Sequence, residues 1–62
     1  MHEINLDYFV RRMCEEKEAA ARAFSPRAAA VHGELAERYA AVLAAYDHPV
    51  LRADDPCADL AA

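Results

Sequence analysis

The dipeptide Ser25-Pro26 lies between two long helical patterns and constrains this chain more than any other feature. Serine is a favoured N-cap because its hydroxyl accepts a free backbone N–H of the first turn. Proline suits the next position, where a missing N–H costs nothing. Proline also drives Ser25 out of the α region, so the preceding helix must end near Phe24. Two helices joined by so short a link turn back on one another. The expected fold class is all-α: a single domain over residues 1–62, built as an antiparallel two-helix hairpin. Helix 1 is expected over about 6–24 and helix 2 over about 26–46, followed by an acidic C-terminal tail over 47–62.

At 100° per residue, the first arm gathers Leu6, Phe9, Val10, Met13, Ala20, Ala21 and Phe24 on one face. The second arm gathers Ala28, Val31, Leu35, Tyr39, Val42 and Tyr46 at spacings of three and four, close to a heptad seam. A strand period of two fits neither arm. The expected core and interface is therefore Leu6, Phe9, Met13, Val31, Leu35, Tyr39, Val42 and Tyr46.

A chain of 62 residues has little interior when folded as one hairpin. Chains this small usually recruit disulfides, a metal or a second chain. The two cysteines, Cys14 and Cys57, form no CxxC motif; one is expected in a helix and the other in the tail, which does not suggest a disulfide framework. Cys14 reads instead as a small buried residue. Met1-His2-Glu3 lacks the basic start of a secretory leader, and no apolar run approaches the length of a membrane span. The expectation is a reducing cytoplasm and self-association, two hairpins forming a four-helix bundle as a homodimer.

The net charge of −4 is unevenly placed. Both helices balance their acidic and basic residues, and the excess comes from Glu3 and the tail aspartates, Asp47, Asp54, Asp55 and Asp59, offset by Arg52. An acidic chain without a basic stripe suits neither nucleic acid, whose phosphates supply most binding affinity, nor an anionic membrane.

Asn5 or Asp7 is placed to cap helix 1, and its outer face carries the i,i+4 pairs Arg11–Glu15 and Glu18–Arg22. Opposite the expected seam, helix 2 carries Ala29, Ala30, Gly33, Glu37, Ala40, Ala41 and Ala44, nearly all small. Ala29, Gly33, Ala40 and Ala44 form a candidate face for close approach by another helix; the alternative is that alanine simply forms helix well and tolerates exposure. Asp47-His48-Pro49 ends helix 2, with Val50 and Leu51 placed to fold back on the bundle end.

One polar constellation interrupts the apolar stripes. Glu16 and Lys17 precede the hinge by nearly the distance at which His32 follows it, so the three share one layer of an antiparallel hairpin. A Glu16–His32 hydrogen bond, with the Lys17 amine reaching water along its stem, sets helix register. The sharper reading is a metal site, in which two copies of Glu16 and His32 would supply four ligands in a symmetric dimer. The Glu-x-x-His spacing of di-iron bundles and the HExxH motif are absent, and no nucleophile or phosphate loop accompanies these residues. The expectation is a protein without enzymatic activity and without a cofactor.

Asp7-Tyr8-Phe9, Arg12, Glu15-Glu16 and Ala19-Ala20, followed by Ala29, His32, Leu35-Ala36 and Tyr39, resemble the pattern YF-x-x-R-x-x-EE-x-x-AA … H-x-x-LA-x-x-Y of very short, uncharacterised helical-hairpin proteins from alphaproteobacteria. The resemblance spans about Asp7 to Tyr39 and excludes Gly33 and the tail. It implies a bacterial cytosolic hairpin and brings no activity. The functional expectation is a small self-associating interaction or scaffold protein, with an unidentified protein partner as a further possibility and a metal- or small-ligand-binding bundle as the alternative.

Overall fold

The computed structural model describes residues 4–53 together with Pro56 and Cys57. It is an all-α hairpin: α1 spans Leu6–Arg22, α2 spans Pro26–Ala45, and a short 3₁₀ turn, η1, spans Pro49–Arg52. Both helices stop slightly short of the expected ends. Asn5 caps α1, its side-chain oxygen accepting from the Tyr8 N–H at 3.2 Å. Ser25 caps α2, its hydroxyl oxygen accepting from the Ala28 N–H at 3.1 Å, with Pro26 as the first helical residue.

The far end of α2 closes in a Schellman motif. The Asp47 N–H donates to the Ala44 carbonyl and the His48 N–H to the Leu43 carbonyl, both at 3.0 Å. This requires a left-handed residue at Asp47, whose φ is 51°. Aspartate tolerates that region better than most non-glycine residues. His48 then caps η1, with Nδ1 accepting from the Val50 N–H at 3.1 Å.

The helices run antiparallel about Phe24. Phe9 meets Tyr39 with ring centroids 5.9 Å apart, and Glu16 meets His32; each pair is equidistant from Phe24 in sequence. Met13, Cys14, Ala36 and Leu43 form the buried core, with Leu6, Phe9, Val10, Tyr39, Ala40, Val50 and Cys57 packed around it.

Three expectations are corrected. First, Cys14 and Cys57 are joined in a disulfide, with Cα atoms 5.5 Å apart. The tail folds back through η1 and carries Cys57 to the shoulder of α1, a return that cysteine spacing alone does not reveal. Second, α2 is turned about its axis. Its buried stripe runs through Ala36 and Leu43, roughly 100° (one residue's rotation) from the expected seam. Val31 and Tyr46 consequently stand 50% and 54% exposed, while Leu35 and Val42 are half-buried. The reason is steric and polar together. The bulky Phe9 and Met13 of α1 are accommodated by the small Ala36 and Ala40, and His32 must face Glu16. Third, Phe24 lies beyond the end of α1 and is fully exposed, so it adds nothing to the α1 face. The acidic tail expected over 47–62 is described through Ala53 and at Pro56 and Cys57, and the rest of it lies outside the described residues.

Candidate functional site

Two features of the hairpin stand out as candidate sites: a polar cluster within the seam and an apolar stripe outside it.

The polar cluster is built on Glu16, whose side chain projects from the middle of α1 toward α2 and is 7% exposed. A buried carboxylate must be paired and hydrogen-bonded to persist. One oxygen, Oε1, lies 2.7 Å from Nδ1 of His32, and the other accepts from Nη2 of Arg12 at 2.7 Å. Arg12 also donates to Glu15 and lies over the Tyr39 ring, 5.5 Å from its centroid. The His32 hydrogen bond, seconded by Arg12, holds the Glu16 carboxyl below its ordinary pKa despite the opposing effect of burial. The Arg12 guanidinium is pushed still further toward its charged form, chiefly by Glu15 and then by Tyr39.

The structure thus brings Glu16 and His32 together and leaves Lys17 exposed. Arg12 is the member that reading the stripes passed over. Its signal was the i,i+4 spacing to Glu16, overshadowed by the Arg11–Glu15 pair on the outer face. Arg11 instead lies over the Tyr8 ring at 5.8 Å, while Glu18–Arg22 does pair, at 2.8 Å. Among the described residues, no group of three or more His, Cys, Asp or Glu side chains could hold a metal ion.

No protein-family model, curated protein or solved structure matches the chain.

The second feature follows from the rotation of α2. With Ala36 and Leu43 turned inward, Ala28, Val31, Leu35, Val42 and Tyr46 fall to the side of the helix away from the core, Val31 and Tyr46 exposed and the others half-buried. Of the small face, Ala40 packs against the core, Ala29 and Gly33 are half-buried, and Ala44 is exposed. A β-carbon added at Gly33 would meet nothing within 4 Å, so no backbone approach requires that glycine in the single chain. The outer stripe is flanked, away from α1, by Arg27, Glu34 and Arg38, which make no ion pair among the described residues. Among the described residues, no helix is long and apolar enough to cross a membrane.

Proposed function

We propose that this chain is a small self-associating helical protein, two hairpins joining through the outer stripe of α2 into a four-helix bundle that serves as an interaction or scaffold element. The observation that carries this reading is the run Val31, Leu35, Val42 and Tyr46 along one side of α2, in which Val31 and Tyr46 are exposed and Leu35 and Val42 are only half-buried by the chain's own fold. Apolar side chains left partly open along one helix side mark a place where another surface docks. The small interior of a single hairpin adds a thermodynamic reason, because association is a standard means of stabilising a chain of this length. The acidic balance argues against nucleic acid or an anionic membrane as the partner.

The competing reading, a metal- or small-ligand-binding bundle centred on Glu16 and His32, is weaker. Both Glu16 oxygens and Nδ1 of His32 are already engaged with one another or with Arg12, so a metal would have to displace a charge-assisted network. The disulfide bears on location. A cytoplasmic protein would hold Cys14 and Cys57 reduced, whereas the linked form suits an oxidising compartment.

Molar mass by light scattering across a dilution series, with and without EDTA, tests the reading. A dimer that dissociates only on dilution and ignores EDTA is the expected result. A monomer at every concentration refutes self-association, and dissociation on chelation transfers the argument to Glu16 and His32.

A further inference from the structure

We infer that the outer stripe of α2 docks against the same stripe of a second copy in antiparallel register, with the two-fold axis passing at the level of residue 36. This deepens the proposed self-association and rests on it.

The charges select the register. Glu34 and Arg38 lie on one flank of the stripe, two residues to either side of residue 36, and neither has a partner among the described residues. A two-fold axis perpendicular to the helices brings like flanks together and reverses their order. Glu34 then faces the partner's Arg38, and Arg38 faces the partner's Glu34, giving two reciprocal pairs. A parallel arrangement would instead set the charged flank of each copy against the opposite flank of the other, where Tyr39 and α1 lie.

The apolar residues accept the same register. Reflection through residue 36 sets the two Leu35 side chains on either side of the axis. Val31 comes beside the partner's Val42. Tyr46 falls near the level of the partner's Ala28, so a large side chain meets a small one. Alternation of large and small side chains across a helix pair is what lets ridges enter grooves.

Charge reversal tests the register on the full chain with its disulfide intact. Glu34→Arg turns both reciprocal pairs into repulsions, and so does Arg38→Glu; each should weaken the dimer about tenfold by sedimentation equilibrium. The doubly exchanged chain, Glu34→Arg with Arg38→Glu, should return to near the parent Kd. An equimolar mixture of the two single variants should also associate tightly as a heterodimer, although neither restores an ion pair within its own helix. This separates pairing between chains from any effect along one helix, and circular dichroism of each single variant checks that the hairpin is retained. A parent chain that dimerises while both single reversals leave its Kd unchanged overturns the register but not self-association. A parent chain that remains monomeric overturns both.

Discussion

Glu16 and His32 touch at 2.7 Å across the seam although they are 16 residues apart in the chain. Each is eight residues from Phe24, so the contact records the antiparallel register of the hairpin. It also sets the rotation of α2. A buried carboxylate with one strong partner on its own helix, Arg12, and one on the facing helix penalises any turn that withdraws His32. The apolar residues of α2 alone would favour turning Val31, Leu35 and Val42 inward. The polar pair and the bulk of Met13 select the face bearing Ala36 and Leu43 instead.

This pair should make stability sensitive to acid. Glu16 has a folded-state pKa below its ordinary value, so its contribution is complete above the usual carboxylate range, about pH 4–5, and is lost as pH falls through the folded value. Urea midpoints measured from neutral pH downward should fall on the acid side. Glu16→Gln should flatten that fall, and His32→Ala should move it to higher pH. Parallel acid profiles for the parent and Glu16→Gln would show that other carboxylates govern the transition.

The disulfide should supply a large share of stability. Its ends are 43 residues apart, so the cross-link restricts most of the unfolded chain. Loop-closure entropy for a ring of this size gives about 4 kcal/mol. Denaturation with and without reductant should differ by that order, as should the parent and Cys57→Ser. Coincident curves would mean that the unfolded chain is not restrained by the link.

Core and stripe should respond differently to truncation. Met13 and Leu43 are fully buried, and replacing either by alanine should cost about 2–5 kcal/mol through lost transfer energy and the cavity left behind. Val31→Ala, at a half-exposed position, should leave the urea midpoint of dilute monomer within about 1 kcal/mol of the parent. It should instead raise the dimer Kd. A large loss of monomer stability in Val31→Ala would place that side chain inside the hairpin.

Gly33 offers the opposite test. It sits in a regular helix without a positive φ, and an added β-carbon has open space. Gly33→Ala should stabilise the hairpin by up to about 1 kcal/mol by removing the entropic cost of glycine in a helix. A destabilised variant would indicate that a second helix approaches this face closely in the assembled protein.

How far the sequence disclosed this structure depends on the range of the forces involved. The hinge was legible because Ser25 and Pro26 act on their immediate neighbours, through one hydroxyl and one ring. The level shared by Glu16 and His32 was legible because antiparallel geometry counts residues from the hinge. The rotation of α2 was not, because its apolar residues form a stripe too broad to name one inward face, and the choice is made by Arg12, Glu16 and Met13 on the other helix. The disulfide was least legible. Its formation depends on the Schellman turn at Asp47 and on η1, which together redirect the tail toward α1. No local pattern around Cys14 or Cys57 encodes that path.

The link between Cys14 and Cys57 also alters what it means to cut this chain. It closes a covalent ring that includes the hinge, all of α2 and η1. The exposed segment around Phe24 and Ser25 is the natural target for a protease, yet cleavage there opens the ring without releasing a fragment. The two helices would stay tethered through the middle of α1 and the segment beyond η1, with fresh termini at the old hinge, until a reductant severed the second connection.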